Sequence, residues 1–371
     1  MNDAISPLLS PYNHNGIAVR NRIAVAPMTR ITATEYGHPT QTMFDYYKRF
    51  AKGGFGLVTT EGIYIDKAFS QGYRFQPGLA DDVQAKAWST FNREMQAYGT
   101  PVFAQLMHAG ALSQGNVYRS HTVGPSAVRP KGEQMKFYFG QGLYAEPKPM
   151  TNAEIDEALQ GFVDAARRAV NIAGFKGVEI HGANGYLLDQ FLTAGTNRRT
   201  DRWGGDTKAR VQLLADVVKA VRLNIGDAVP VGIRISQGKV NDFDSKWSGG
   251  EADAEVIFGT LADAGIDFLH VTEFEAWQPA FEGSRDSLVS LARRYAPKVT
   301  LIANGGLHTA ERIKNALASG ADLVTVGRGA LANPDLPKLL ESQREPRIFD
   351  SSILHPIASI KPEELAMQTV A

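Results

Sequence analysis

Residues 178–192 read Val178-Glu179-Ile180-His181-Gly182-Ala183-Asn184-Gly185-Tyr186-Leu187-Leu188-Asp189-Gln190-Phe191-Leu192, in which an apolar run leads into His, Asn and Tyr before a second apolar run. An apolar run that is not interrupted by polar residues is typical of a buried strand of a parallel sheet. Imidazole and carboxamide groups can each donate a hydrogen bond to one carbonyl oxygen, and a tyrosine that ionises near pH ~10 keeps its phenolic proton at neutral pH. The stretch therefore predicts a strand that ends in two oxygen-binding groups, His181 and Asn184, and a proton donor, Tyr186.

Further apolar runs lie on both sides of this stretch, and amphipathic helical patterns separate them. Eight such runs can be counted, at Arg22–Pro27, Gly56–Thr60, Val102–Leu106, Gly177–His181, Val229–Ile235, Phe268–Thr272, Thr300–Ala303 and Leu323–Val326. This alternation predicts βα units that close a parallel sheet, an α/β fold of the (β/α)8 TIM barrel type. A length of 371 residues suits one such barrel with insertions, so we expect a single domain over residues 1–371.

The segments outside the strands are predicted as helices, a cap and two long loops. Helical patterns occur at Ala80–Tyr98, Thr151–Ala173, Asp206–Ile225, Asp253–Ala264 and Thr309–Ala318. Met1–Asn15 is expected to fold over the bottom of the barrel, because Leu8, Leu9 and Tyr12 favour burial. Residues 109–150 and 237–251 leave the C-terminal ends of strands, where barrel enzymes build their sites, so we interpret them as lid and substrate-wall loops. The alternative is that both are solvated surface.

Composition narrows the classes of partner. The 39 basic and 39 acidic residues cancel, which argues against the basic patch that nucleic acid or an anionic membrane needs and favours a small-molecule substrate. The absence of cysteine excludes disulfides, thiolate metal sites, a cysteinyl flavin link and iron–sulfur clusters. No apolar run approaches the ~20 residues of a membrane span, and Met1–Ser10 shows no signal pattern, so the expected location is cytoplasmic.

Glycines after the last two strands indicate a phosphate site. Gly305 and Gly306 follow the seventh strand, and Gly327 and Arg328 follow the eighth, where barrels commonly bind a phosphate through backbone N–H groups and a cation. The alternative is that the glycines only close turns. Two such sites on adjacent strands favour phosphate, but they do not identify flavin, since aldolases and isomerases share this arrangement.

Several motifs, taken together and in order, resemble the Old Yellow Enzyme family of flavin-dependent ene-reductases. Besides residues 178–192, they are Asn21–Arg30, Gln105–Gly110, Thr196–Gly205, Gly232–Ile235, Ala303–Gly306 and Val326–Gly329. The resemblance implies non-covalent FMN, NAD(P)H as hydride donor and a ping-pong cycle that reduces α,β-unsaturated carbonyl, nitro or maleimide-like compounds. It also implies that hydride passes from flavin N5 to Cβ while Tyr186 protonates Cα.

The resemblance further implies roles for residues that contact the flavin. Ala26, Pro27, Met28 and Thr29 would contact N5 and O4, Gly62 after the second strand would give the ring room, and Gln105 would meet the pyrimidine edge. Arg234 would stabilise the anionic reduced flavin, and a cation inside an apolar strand does need a polar partner.

The residues alone leave other interpretations open. Arg234 could pair with Glu179, Thr29 could satisfy a strand end, and Tyr186 could be a packed aromatic ring. A metal site built from His181, His108 and Glu179 lacks a tight ligand spacing, so no metal is predicted.

The chain also departs from the family's subgroups. It combines Thr29 with Met107, has Ile31 where one subgroup places a substrate-facing Tyr, and shows no subunit-crossing finger in Ser351–Ala371. We therefore leave monomer or homo-oligomer undecided.

Three other functions remain as alternatives. A redox-neutral flavin-dependent isomerase on the same scaffold would need the proton delivery of Tyr186 redirected. A flavin-free phosphate-binding barrel lyase or aldolase usually needs a metal or a Schiff-base Lys at a strand end, and no predicted strand ends in Lys. A passive flavin carrier would not need the set of His, Asn and Tyr.

Overall fold

Eight parallel strands close into a barrel in the computed structural model, which describes residues 6–369. The strands are β1 Ile23–Val25, β2 Leu57–Tyr64, β3 Val102–Met107, β4 Gly177–His181, β5 Val231–Ser236, β6 Phe268–Thr272, β7 Thr300–Asn304 and β8 Leu323–Val326. Each strand pairs with the next one along the chain, and β8 pairs with β1, with Thr325 opposite Ala24. The predicted (β/α)8 barrel is confirmed, and every predicted apolar run overlaps a barrel strand, although β2, β3, β5 and β7 extend beyond the predicted ends.

Helices cover the outside of the barrel, which is why the strands are buried on both faces. The main helices are α1 Gln41–Lys52, α2 Asp82–Gln96, α3 Asn152–Arg168, α4 Gln212–Ile225, α5 Glu251–Asp263, α6 Leu288–Tyr295, α7 Ala310–Ala318 and α8 Leu336–Glu341. Thr151 and Glu154 form a capping box at the start of α3. The predicted helix Thr151–Ala173 ends in a short π-helix at Ala169–Ala173, and the predicted helix Asp206–Ile225 divides into Thr207–Arg210 and α4.

The N-terminal segment closes the bottom of the barrel, as predicted. A short helix, Ser6–Leu9, precedes an antiparallel pair formed by Tyr12–His14 and Ile17–Val19. Tyr12, Ile17 and Val19 join a buried cluster with side chains from inside the barrel: Ala24, Leu57, Phe103, Phe268, Ile302 and Leu323. The first part of the predicted cap, residues 1–5, lies outside the described residues.

The long segment 109–150 has structure of its own above the barrel. It contains short 3-10 turns at Gly110–Leu112 and Lys136–Tyr138, and a two-stranded parallel pair of Val123–Gly124 with Lys148–Pro149. Among residues 6–369, no helix is both long and apolar enough to span a bilayer.

The C-terminal segment is fastened next to the top of β1. Arg30, which is fully buried, forms a buried ion pair with Glu364 and donates to the carbonyls of Ala358 and Ser359. Arg30 directly follows Thr29, and the Glu61 carboxylate accepts hydrogen bonds from the Arg30 and Ile31 amides at 3.0 and 3.2 Å. The segment after β1 is therefore held both by the C-terminal segment and by Glu61 of β2.

Candidate active site

A cavity of about 570 Å³ opens at the C-terminal end of the barrel. Its walls contain every residue that the sequence predicted for the site except Gly62: Ala26, Pro27, Met28, Thr29, Gln105, His181, Asn184, Tyr186, Arg234, Gly305, Gly306, Gly327 and Arg328. The strand ends collect these residues because parallel strands all point their carboxyl ends to the same face of a barrel.

His181 is the last residue of β4, and its imidazole is neutral. Burial, reinforced by the charges of Arg234 and His270, holds the pKa of His181 well below its usual value. The Ala183 amide donates to Nδ1 at 3.3 Å, which assigns the ring proton to Nε2. His181 can therefore donate one hydrogen bond into the cavity without carrying a charge.

Asn184 stands in the left-handed region of backbone conformation, with φ +63°, which Asn tolerates better than most residues. Its amide donates to Ser236 Oγ at 2.8 Å, and its carbonyl accepts from the Val240 amide at 3.1 Å. Within residues 6–369, the Asn184 carboxamide has no hydrogen-bond partner. The strained backbone thus presents a free carboxamide to the cavity.

Tyr186 lies beside His181, with the two rings edge to face at 4.9 Å between centroids. Burial raises the pKa of Tyr186 to about 12, so its hydroxyl is protonated at neutral pH. The Tyr186 hydroxyl also contacts the hydroxyl of Tyr73 at 2.6 Å, a contact that the sequence did not predict. One wall of the cavity therefore holds two oxygen-binding groups and a proton donor.

Arg234 carries a buried cation with an unsatisfied donor. Its Nη2 donates to Thr272 Oγ1 at 3.1 Å and Asn304 Oδ1 at 2.9 Å, while its Nε has no partner in residues 6–369. The sequence left open a pair with Glu179, but the Glu179 carboxylate bonds other groups. Arg234 lines the cavity, where its guanidinium suits a polar or anionic group.

A buried network fixes the orientation of the Gln105 carboxamide. Gln105 Nε2 donates to Glu179 Oε1 at 2.7 Å, while Glu179 Oε2 contacts His270 Nδ1 at 2.7 Å. His270 Nε2 in turn contacts Thr325 Oγ1 at 2.8 Å. Because Nε2 is engaged, Gln105 retains its carbonyl oxygen as a free acceptor. The sequence reading missed His270, although a His inside the apolar run of β6 was a signal.

Gly62 has a different position from the predicted one. It lies within β2 and not after it, next to an irregular register with β3 between Thr59 and Gly62. A Cβ on Gly62 would meet Met107 Sδ at 2.5 Å, so packing against Met107 accounts for the glycine. It does not line the cavity.

The glycines after β7 require conformations that favour glycine, and a free cation lies nearby. Gly305 and Gly306 have φ +135° and +67°, and a Cβ on Gly306 would meet the Trp277 ring at 2.8 Å. Arg328 is exposed, stacks over the exposed Phe274 ring at 5.3 Å, and has no carboxylate partner in residues 6–369. The Arg328 guanidinium therefore lies near glycines whose backbone N–H groups an anion can approach closely, which is the arrangement that an anion site needs.

A buried ion pair fastens the loop that carries Asn184 and Tyr186. Lys239 Nζ contacts Asp189 Oδ1 at 2.7 Å, and both side chains are almost fully buried. Asp189 Oδ2 accepts from the Gly185 amide at 2.6 Å, and Lys239 also lines the wall of the active-site cavity. Both residues line a second cavity of about 260 Å³, so Lys239 is shared by the two cavities.

We expect Lys239→Met to lower the free energy of unfolding by about 3–5 kcal/mol, because it leaves the Asp189 carboxylate buried without its cation. The matched control is Lys131→Met on the exposed pair with Asp242, where Lys131 is 76% exposed and the expected loss is about 0–1 kcal/mol. Urea titrations of the three proteins measure both values. Equal losses in the two variants would contradict this role of the pair.

The sequence and the structure of the chain were compared with those of known proteins, and both are similar to one family. The model of the NADH:flavin oxidoreductase / NADH oxidase family matches residues 7–347. The chain belongs to this family, the Old Yellow Enzyme family. It is therefore an oxidoreductase whose flavin is FMN and whose reductant is NADH or NADPH.

Individual relatives agree with this assignment. A solved structure of the old yellow enzyme homologue from Zymomonas mobilis is 30% identical, covers 98% of this chain and 99% of its own, and superposes with a TM-score of 0.87. Morphinone reductase in complex with tetrahydroNAD is 30% identical over 94% of this chain and 93% of its own, with a TM-score of 0.81. The NADH oxidase of Thermoanaerobacter brockii is 32% identical over 92% of this chain, but the chain spans only 52% of that protein's length.

Proposed function

We propose that the protein reduces the activated C=C bond of α,β-unsaturated carbonyl or nitro compounds with NAD(P)H, in two half-reactions that use one cavity in turn. The observation that carries this proposal is the shared wall of His181, Asn184 and Tyr186. Two donors suited to one oxygen lie beside a protonated phenol, the set that a conjugated carbonyl needs for reduction.

The cavity fits FMN on two observations. The Arg234 guanidinium and the free Gln105 carbonyl, which both line the cavity, suit the polar pyrimidine edge of an isoalloxazine ring, which offers both acceptors and a donor. Gly305, Gly306 and Arg328 suit its phosphate. We assign Ala26, Pro27, Met28 and Thr29 to the ring and Gly327 to the phosphate because all five line the cavity, the first four directly after β1 and Gly327 next to Arg328.

Bound FMN supplies the hydride, and the protein's own residues prepare the acceptor. The His181 Nε2–H and the Asn184 carboxamide hold the activating oxygen and polarise the conjugated bond. Because His181 is neutral, it binds this oxygen without giving up a proton. Tyr186, which is only 5% exposed, transfers its phenolic proton to Cα.

The two long loops supply the substrate walls. Phe137 and Tyr138 of the 109–150 loop and Phe243 of the 237–251 loop line the cavity. Phe243 and Phe274, which are both largely exposed, contact each other edge to face at 6.2 Å. An apolar substrate or a nicotinamide ring would cover these rings.

One feature weighs against an aldolase or lyase that uses a Schiff base. Lys239 is the one lysine in the cavity wall, among residues 6–369, and its ammonium is held by Asp189. A Schiff-base lysine needs its nitrogen free to attack a carbonyl carbon, whereas the Lys239 nitrogen is in contact with the Asp189 carboxylate at 2.7 Å.

The proposed function is tested by product analysis with cyclohex-2-enone and NADH. We expect one saturated ketone for each NADH oxidised under anaerobic conditions. Isomerised product without NADH consumption would support a redox-neutral isomerase and contradict the proposal.

Arg328→Ala should weaken the affinity for FMN by about 10- to 100-fold, because it removes a charge-assisted contact with phosphate. The rate of turnover per bound FMN should stay near that of the parent, since the phosphate is remote from the reacting atoms. Equilibrium dialysis measures the affinity, and Arg167→Ala, an exposed position on α3, is the control. Unchanged affinity in Arg328→Ala would remove this residue from the phosphate site.

A further inference from the structure

Tyr73 is a fully buried residue whose hydroxyl lies 2.6 Å from the hydroxyl of Tyr186. Tyr186 lines the active-site cavity, whereas Tyr73 does not. The Tyr73 ring packs on the Tyr138 ring, with 4.5 Å between centroids, and Tyr138 donates a hydrogen bond to the Thr29 carbonyl at 3.0 Å. The ring of Tyr73 therefore has little freedom to move away from Tyr186.

We propose that Tyr73 is a positioning residue that holds the Tyr186 hydroxyl and donates a hydrogen bond to its oxygen as Tyr186 gives up its proton. This inference rests on the proposed function, in which Tyr186 protonates Cα. In that step the Tyr186 O–H bond breaks and a C–H bond forms at Cα with the electron pair of the C=C bond. The Tyr186 oxygen is left as an anion, and water returns its proton later.

The direction of this hydrogen bond follows from the surroundings of the two hydroxyls. Tyr186 must point its proton at the substrate, so its oxygen is the acceptor and Tyr73 is the donor. Within residues 6–369, the Tyr73 hydroxyl has no other hydrogen-bond partner, so its single proton is available for Tyr186. A hydrogen bond to an anionic oxygen is roughly twice as strong as one between neutral groups, so it stabilises the state after proton transfer more than the state before it.

The electrostatic surroundings agree with this direction. Burial and the neighbouring tyrosines 138, 144 and 186 raise the pKa of Tyr73 well above its usual value, so Tyr73 keeps its proton. Burial raises the pKa of Tyr186 to about 12, while the hydrogen bond from Tyr73 and the charge of Arg234 act to lower it. His181, whose ring packs edge to face on Tyr186, is neutral.

Tyr73→Phe tests the proposal, with Tyr144→Phe as the matched control. Tyr144 lies in the same buried cluster, but its hydroxyl has no partner in residues 6–369. We expect Tyr73→Phe to slow re-oxidation of the bound flavin by cyclohex-2-enone by about 10- to 100-fold, as loss of a hydrogen bond to a charged group does. Bleaching of the flavin by NADH and re-oxidation by a nitroalkene should stay within about twofold, since neither depends on a proton from Tyr186 at that step.

A double replacement separates this inference from the proposed function. In a protein that already carries Tyr186→Phe, adding Tyr73→Phe should cause no further loss, because the two hydroxyls act as one unit. If Tyr186→Phe alone leaves enone re-oxidation unchanged, the proposed acid is wrong. If Tyr186→Phe slows it but Tyr73→Phe behaves like Tyr144→Phe, or adds an independent loss, the role of Tyr73 is wrong. Rates are expressed per bound FMN, so that a loss of cofactor is not counted as a loss of chemistry.

Discussion

Tyr186→Phe is expected to slow re-oxidation of the bound flavin by a simple enone by a factor of ~10²–10⁴, the range of a lost general acid. The substitution removes one hydroxyl from a ring that remains packed against His181. Bleaching of the flavin by NADH should survive almost unchanged, because that half-reaction takes no proton from Tyr186. Stopped-flow absorbance measures the two half-reactions separately.

Comparing two oxidising substrates, an enone and a nitroalkene, makes this test more specific. A nitroalkene should be affected less than an enone, since its nitro group can hold the negative charge until water protonates the carbon. A variant that is slowed equally in both half-reactions and with both acceptors would mean that Tyr186 packs the site, and the acid would then be another group.

Replacing both His181 and Asn184 by Ala should reduce turnover of cyclohex-2-enone by at least ~10²–10³-fold, the effect of removing one oxyanion-binding donor. FMN should remain bound, because the residues we assign to its ring and phosphate are untouched. The parent protein should also bind para-substituted phenols as phenolates, since two donors that share one oxygen favour the anion. A long-wavelength charge-transfer band reports this binding, and the double variant should lose the band.

The control for this experiment is His14→Ala, an exposed histidine in the cap at the bottom of the barrel. It should keep both turnover and the phenol band. A parent protein that binds neutral and ionised phenols equally, without the band, would mean that His181 and Asn184 do not converge on one oxygen.

The barrel could be predicted from the sequence because its strands are covered on both faces. Such strands are apolar without alternation, and the eight runs stand out from the amphipathic helices between them. Local detail was harder to predict. β2 extends to Tyr64, beyond the predicted run, and its register with β3 is irregular between Thr59 and Gly62, which no periodic pattern in the sequence indicates.

The cavity residues at the ends of strands could also be predicted, because polar residues that follow apolar runs lie together at the carboxyl-terminal face of a barrel. The contacts that hold these residues in place could not be predicted from the sequence. Tyr73 and Tyr186 are 113 residues apart in the chain, Asp189 and Lys239 are 50 apart, and Arg30 and Glu364 are 334 apart. Such pairs leave no local pattern, and only the folded chain brings them together.

The most direct test of the central claim is an anaerobic titration of the purified protein, followed by its absorption spectrum. We expect a flavin band near ~450 nm that NADH bleaches and that one equivalent of cyclohex-2-enone restores after NAD⁺ has been removed. The released flavin should be FMN. A protein that cannot be reconstituted with FMN, or whose NADH-bleached band an enone does not restore, would contradict the account.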